Sequence, residues 1–519
     1  MNNSKFFESS VAIALLVVSL AGCGRQKADA DSASQELIVA GNEIAVGFDP
    51  TVYPGADYLL NMGAAEILFK ADADGQIQPF LAKQAAKIDA YTWLIELRPE
   101  ARFWSGVPVT AEAVIGSLER SRKLDMKAYP YLEGIAFTAV SDYAIQAKTE
   151  YPNMDITKNL SNAQLVIHNT DARYTYTSID TADYTGMYKI AEFIPHQKMV
   201  FAINENYWGQ KPEIPRVVHE EISDGDARSL AALSGRYHVV MNIPFTAIEQ
   251  FRQSSVAHIS AVPAANTQTI YLNLDKSQLQ DKRVRQALSW GLNRDELIRL
   301  GEEGLGTPVT TWLGSNPAYS EIRTAYFETF DADRAAKLLD EAGWALGADG
   351  YRYKNGKQLA MFLRTFRNDK ALGESIQIQW SRLGVNVKVQ HGDYSLIQTA
   401  RETGDWDASI EAWGTFGNVS SQLKGQYAPE GAANYGGFND EQTNQLLDLI
   451  AGAAEEDERH DLAVKLSMHI ADLSPAIYLC PRPELTAVNN SLAGFVPHFR
   501  QFENVVNAGL RIGSQAASQ

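Results

Sequence analysis

Beyond Glu36 no apolar run in this chain approaches the ~20 residues that a membrane-spanning helix needs. About 480 residues follow that point, more than a single hydrophobic core organises. The body is therefore expected to be soluble, exported and divided into at least two lobes. With 46 Lys and Arg against 63 Asp and Glu, the formal net charge is −17 at pH 7. That balance argues against nucleic acid or an anionic membrane surface as the partner. The chain has 2 cysteines, Cys23 and Cys480, so no disulfide framework holds the fold. Cys480 falls in the apolar run Pro475–Pro481, which reads as a buried strand carrying an inert thiol.

At the N-terminus, Lys5 precedes an apolar run from Val11 to Leu20 that is too short to span a hydrocarbon core, which is the shape of a signal peptide over residues 1–22. Leu20-Ala21-Gly22-Cys23 resembles the lipobox of bacterial lipoproteins. The resemblance implies that Cys23 is diacylated and begins the mature chain; an ordinary signal peptide with a chance cysteine is the alternative. Residues 23–35 are polar, with almost nothing to bury, and read as a disordered tether.

The body mixes strands and helices. Glu36–Ala40 opens as a strand, and Tyr91–Leu97 alternates as another. Thr110 is placed to cap a helix carrying Ala111, Val114 and Leu118 on one face. Asp281 caps a helix with Val284, Ala287, Leu288, Gly291 and Leu292 in register, and Asn293 caps the next, with Glu296 in capping-box position. The stripe Ala335, Leu338, Leu339 and Ala342 ends at Gly343, where a left-handed residue is expected. Leu372, Ile376, Trp380 and Leu383 repeat the pattern up to Gly384, followed by the alternating Val385, Val387 and Val389. These helix-then-strand units predict an α/β lobe with a mixed sheet, and the N-terminal half reads as a more β-rich lobe.

Catalytic signatures are missing: there is no Gly-x-Ser-x-Gly elbow, no His-Glu-x-x-His, no phosphate-binding loop and no Gly-x-Gly-x-x-Gly. His219-Glu220-Glu221 lacks the second histidine of a zinc motif and reads as a solvated strand edge. No catalytic residue, resident metal site or cofactor is expected.

The run Tyr91-Thr92-Trp93-Leu94-Ile95-Glu96-Leu97-Arg98-Pro99, continuing through Phe103-Trp104-Ser105-Gly106-Val107-Pro108-Val109-Thr110-Ala111-Glu112-Ala113-Val114 to Ser117-Leu118-Glu119-Arg120, resembles the signature of the peptide/nickel family (family 5) of extracytoplasmic solute-binding proteins. Gln78-Pro79-Phe80-Leu81-Ala82 is similar to that family's loop after an early hairpin. Thr185-Gly186-Met187-Tyr188-Lys189 is similar to its Gly-Pro-Tyr segment with Met187 in place of the proline. Asn204-Glu205-Asn206-Tyr207-Trp208-Gly209 is similar to its Tyr-Trp turn. The likeness continues through Asp281–Asp295, Asp331–Trp344 and Asp405–Trp413.

The resemblance implies an α/β, two-lobed periplasmic-binding-protein-like fold with an extra subdomain and a ligand cleft between hinged lobes. Residues 36–275 would form the first lobe and an inserted subdomain at about 61–175, residues 276–483 the second lobe, and residues 484–519 a return to the first. It implies a monomer outside the cell membrane, lipid-anchored, that captures a small molecule or peptide and presents it to an ABC permease with its ATPases. A ligand-presenting sensor or chaperone of the same fold and a hydrolase assembled in space are the other readings.

The ligand is legible only in part. Peptide-binding members carry an aspartate shortly after the tryptophan that here is Trp413; Gly414-Thr415-Phe416-Gly417-Asn418-Val419 has no carboxylate. Nickel-type members are similar at Asp49-Pro50-Thr51-Val52-Tyr53 with Tyr58, at Glu411-Ala412-Trp413-Gly414, and near Tyr131. They also carry an arginine where Leu160-Ser161-Asn162-Ala163 offers none, and a histidine that Asn418–Tyr427 lacks. The resemblance thus implies ligand contacts from Tyr53, Tyr58, Tyr131, Trp413, Phe416, Asn418 and Arg500. Each has a second reading: Tyr53 and Tyr58 fit a surface loop, Trp413 a core residue, Tyr131 a structural ring, Arg500 a solvated side chain.

Overall fold

The computed structural model describes residues 36–45, 47–52, 54–72, 76–152, 155–174, 181–325, 330–453, 455–500 and 505–513. Cys23, the tether and Tyr53 lie outside the described residues. No helix among the described residues is long and apolar enough to cross a membrane.

Three sheets organise the body. The largest has seven strands in the order Ala257–Pro263, Pro483–Asn489, Val239–Val240, Glu36–Gly41, Arg216–Glu221, Lys198–Ile203 and Tyr188–Ile194. Glu36–Gly41 is parallel to both of its neighbours, and the outer pairs are antiparallel. The second sheet has five strands, ordered Asn386–Gly392, Ala360–Phe366, Ala408–Gly414, Asn266–Leu272 and Ala476–Tyr478. It takes in Asn266–Leu272, which the division at residue 275 leaves in the first lobe. A four-stranded antiparallel sheet is built from Ala82–Asp89, Thr92–Leu97, Ala144–Thr149 and Ile135–Ser141.

Local chemistry explains the helices. Thr110 accepts a hydrogen bond from the Ala113 amide and starts the helix Ala111–Leu124. Asp281, Asn293 and Asp331 do the same for Lys282–Trp290, Arg294–Gly301 and Ala332–Glu341, each satisfying an orphan N–H of the first turn. Gly384 sits at φ +85° after Lys370–Arg382, a conformation that a Cβ strains. The chain then enters Asn386–Gly392, so the predicted helix-to-strand unit is present.

The motif Asn204–Gly209 is a structural clasp. The buried Asn204 donates to the Gly186 carbonyl at 2.9 Å, and the Tyr207 hydroxyl and Trp208 indole N–H donate to the two oxygens of Glu66 at 2.8 and 3.0 Å. Gly186 lies so close to Ala64 that a Cβ would sit 2.3 Å from its carbonyl carbon, which fixes glycine there.

One expectation is corrected. His219 is not on a solvated strand edge: Arg216–Glu221 is an interior strand, and His219 is fully buried beside Gly41 and the ring of Tyr58. Val217, Val218 and His219 are buried in succession, so both faces of the strand are covered there, and burial holds the imidazole neutral, pushing its pKa down to about 3.

Candidate functional site

The five-stranded sheet presents one polar face. Met361, Leu363, Ala408 and Ile410 point into the lobe's core, so by the period of two Arg364, Phe366, Ser409, Glu411 and Trp413 point the other way. The helix Tyr394–Glu402 lies in the crossover between Asn386–Gly392 and Ala408–Gly414 and brings Arg401 to Glu411. This ion pair is nearly dry, with side-chain exposures of 13% and 5%. Arg401 lies 3.4 Å from the centroid of the Tyr435 ring, and Tyr394 donates to Glu411 at 3.1 Å. Burial, then the Glu411 charge, push the Tyr394 hydroxyl up to about 12. Trp413 ends this strand half-buried, its ring 6.2 Å from Tyr435.

The loop beyond Trp413 is drawn toward the rest of the molecule. Asn418 accepts from the Ser421 amide at 3.0 Å and caps the helix Val419–Tyr427. Phe416 lies 4.9 Å from Phe499, and the Arg500 guanidinium lies 4.5 Å from the Phe416 ring centroid. Arg500 also donates to the Ser161 carbonyl at 2.6 Å and to its hydroxyl at 3.2 Å. The segment Leu160–Ala163, which has no arginine of its own, thus receives one from the C-terminal segment.

The facing wall comes from the region of the four-stranded sheet. Tyr131 sits in the short helix Tyr129–Leu132, and its ring lies across from Gly417, where a Cβ would sit 3.7 Å from the ring. Burial pushes its hydroxyl up against the opposing pull of Arg500, Asn162 and Gln422. Lys424 and Glu133 pair at 3.5 Å across the same gap. Tyr131, Phe416, Asn418 and Arg500 are therefore gathered in one place, although Asn418 is engaged in capping. Tyr58 is apart from them: it is 2% exposed, packed in the core of the seven-stranded sheet. Its hydroxyl donates to Glu43 at 3.3 Å, and Glu43 in turn lies 3.7 Å from Arg367 of the five-stranded lobe.

Two residues that sequence reading missed complete the cleft. Lys127 is exposed, yet desolvation pulls its ammonium down; the charges acting on it are Asp57, Asp125 and Glu411, which favour the cation, and Arg367, which opposes it. Arg367 adopts φ +53°, a sparsely populated conformation for a side-chain-bearing residue and a mark of a held position. Asp57 is 4% exposed and accepts from Gln164 at 2.8 Å. Charges of both signs and several aromatic faces thus converge between the sheets, an arrangement suited to a small polar solute with a planar or aliphatic part. Among the described residues no three His, Cys, Asp or Glu side chains converge as a metal site.

This architecture has relatives. The nickel-binding protein NikA of Staphylococcus aureus is 22% identical over 496 residues, covering 94% of this chain and 96% of its own. The crystal structure of Staphylococcus aureus NikA in complex with Ni(L-His)2 superposes with a TM-score of 0.81 at 20% identity, over 92% of this chain and 99% of that one. The oligopeptide-binding protein AppA of Bacillus subtilis, in complex with a nonapeptide, superposes with a TM-score of 0.78 at 18% identity, over 93% of this chain and 99% of that one. The fold is the mixed α/β fold of the two-lobed periplasmic binding proteins. Residues 76–434 match the model of the bacterial extracellular solute-binding proteins, family 5 Middle. The chain belongs to the family 5 bacterial extracellular solute-binding proteins.

Proposed function

We propose that this protein is the substrate-binding component of an ABC importer. It captures a small peptide-like solute or metal chelate between its lobes and delivers it to the permease. Binding without catalysis is the reading throughout: the cleft holds charges of both signs and aromatic walls. The carrying observation is the approach of Tyr131 to Arg500 and Gly417, of Arg500 to Phe416, and of Lys127 to Arg367 and Glu411, all from separate parts of the chain.

The same geometry favours a modified or chelated solute over a plain dipeptide. Glu411 is the carboxylate nearest in sequence to Trp413, and Arg401 neutralises it, so a free α-amino group finds no unengaged partner there. Arg500 beside Ser161 supplies the cation that nickel-type members place on another segment, and suits a ligand carboxylate. Relatives described as binding nickel and a nonapeptide bracket this range. Lobe closure over the solute would exclude water and strengthen these contacts.

Mass spectrometry of solute released from the purified protein, followed by calorimetry with it, tests the reading. A carboxylate-bearing peptide-like or chelate compound that binds tightly is expected. Tight binding of simple dipeptides overturns the preference, and turnover of the bound solute overturns the binding-protein reading. Lipid anchoring through Cys23 is part of the proposal: Cys23→Ala should move the protein from membranes to the soluble exported fraction, and retention on membranes counts against it.

A further inference from the structure

The chain passes twice between the seven- and five-stranded sheets. Ala257–Pro263 continues through Ala264 and Ala265 into Asn266–Leu272, and Ala476–Tyr478 continues through Leu479–Arg482 into Pro483–Asn489. The passages are stitched together. Gln268 N donates to Cys480 O at 2.9 Å, Leu479 N to Gln268 O at 3.0 Å, and Arg482 N to Asn266 Oδ1 at 2.8 Å.

Three carboxylates lie against this crossing, Glu302 and Asp369 buried and Glu484 partly so. Glu484 belongs to the seven-stranded sheet; Asp369 precedes the helix Lys370–Arg382, and Glu302 follows the helix Arg294–Gly301. Arg482 stands between them, its Nη2 3.6 Å from Asp369 Oδ1 and its Nε 3.9 Å from Glu484 Oε1. Gln268 donates to Asp369 at 2.9 Å and Asn242 to Glu484 at 3.2 Å. Glu302 is different. It is fully buried, and neither of its oxygens has a hydrogen-bond partner among the described residues. Gln268 lies near enough to favour its ionised form slightly, but the amide's bonds go to Asp369 and, from the Cys480 thiol, to its own oxygen at 3.3 Å.

A buried carboxylate without donors is far cheaper to keep neutral than charged. Burial first, then the charges of Asp369 and Glu484, push Glu302 up to about 8 against the pull of Arg482. The neighbouring groups act on its partners. Arg367 favours ionised Asp369 and Glu484, His391 favours ionised Asp369, and Arg294 lies close to the Cys480 thiol, which burial keeps protonated. Glu302 is therefore the carboxylate that the crossing leaves without hydrogen-bond donors.

We propose that this crossing is a proton-gated hinge: Glu302 holds a proton while the two passages are packed as here, and releasing it loosens the crossing and lets the lobes separate. Once ionised, Glu302 adds a third negative charge around Arg482 and must draw in water, which the packed crossing does not admit. Glu484 lies on one lobe, Glu302 and Asp369 on the other, so separation relieves the repulsion. Alkaline solution thus favours the open form. The inference rests on the reading that the lobes move about these passages.

The test uses the ligand-free mature chain, wild type and Glu302→Gln, from about pH 6 to about pH 10, the window on either side of the shifted carboxyl. Subtracting the infrared spectra of Glu302→Gln from those of the wild type removes bands common to both, such as that of Glu66, and should leave a protonated-carboxyl band that disappears with a midpoint near pH 8. Small-angle scattering should show the wild-type radius of gyration rising over the same interval while the variant's stays constant. A wild type whose carboxyl band at the acidic end does not exceed the variant's, or whose excess does not titrate near pH 8, overturns the protonation. A radius that does not change, or changes equally in both proteins, overturns the hinge. If Glu302→Gln fails to fold, the wild type decides alone, by whether band and radius titrate together. No ligand enters either measurement, so a wrong solute assignment leaves the result readable.

Discussion

Behind Trp413 the proposed cleft wall is a sheet face stiffened by the buried pair Arg401–Glu411 and the rings of Tyr435 and Trp406, whereas Tyr131, proposed for the other wall, rides on a helix of 4 residues. That short helix is fastened by single bonds, such as Asn159 Nδ2 to the Tyr131 carbonyl at 3.0 Å. Both walls offer aromatic surface, but they respond differently to damage. On the sheet wall a substitution strands a charge in a dry place. On the helix wall it removes one contact that water can replace.

The largest effect should therefore come from the sheet wall. Glu411→Ala leaves Arg401 buried without its carboxylate, and breaking such a pair from one side costs about 3–5 kcal/mol. Denaturant unfolding should show that loss, and the double variant Arg401→Met with Glu411→Leu should recover most of it. A loss under about 1 kcal/mol would mean that the pair is not what stiffens this wall.

The helix side has its own buried carboxylate, and it is a satisfied one. Glu66 is 2% exposed and takes hydrogen bonds from Tyr207 and Trp208, yet burial still raises it to about 7. A raised carboxyl means that the folded chain binds the proton more tightly than the unfolded chain. Stability from this group is thus full below about pH 4.5 and is lost as pH rises to about 7, levelling off above. The total is about 3 kcal/mol at 1.36 kcal/mol per pH unit. Comparing the denaturant midpoint of Glu66→Gln with that of the wild type across this interval measures it; parallel slopes would show that Glu66 does not titrate there.

Trp413→Ala distinguishes wall from core. The ring is half-buried, so its exposed side is available to a ligand and its covered side packs on neighbours. Loss of a well-packed aromatic contact costs on the order of 2 kcal/mol in binding, more than tenfold in affinity. Calorimetry on the folded variant should show that drop. An unchanged affinity with a midpoint loss of about 3–5 kcal/mol would instead make Trp413 a core residue.

How much of this was readable in advance depends on sequence distance. The caps at Thr110, Asp281, Asn293 and Asp331 act on amides two or three residues away, so the pattern that makes them is local and visible. The cap formed by Asn418 was equally local, and its Asn followed by Ser421 could have marked it as structural. Lys127 and Arg367 were not visible, because their surroundings, Asp57 and Glu411, are far away along the chain and meet only through folding. His219 misled because a polar His-Glu-Glu run reads as solvated, whereas this strand is interior and covered on both faces at Val217–His219.

The smallest expected effect probes the point where the walls meet. Arg500 lays its planar guanidinium near Phe416 of the sheet wall and forks onto Ser161 of the other side. Lysine keeps the charge but lacks the plane and the second donor, so Arg500→Lys isolates geometry from charge. The substitution removes one ring interaction and part of one fork, together about 1 kcal/mol. If Arg500 holds a ligand carboxylate, affinity should fall about fivefold with an unchanged denaturant midpoint. If it serves only to fasten Phe416 to Ser161, the midpoint should fall and affinity should stay. Arg500→Ala then bounds the charge itself: a further loss of affinity that shrinks in high salt assigns Arg500 to the ligand, and a salt-independent loss assigns it to the contact between the walls.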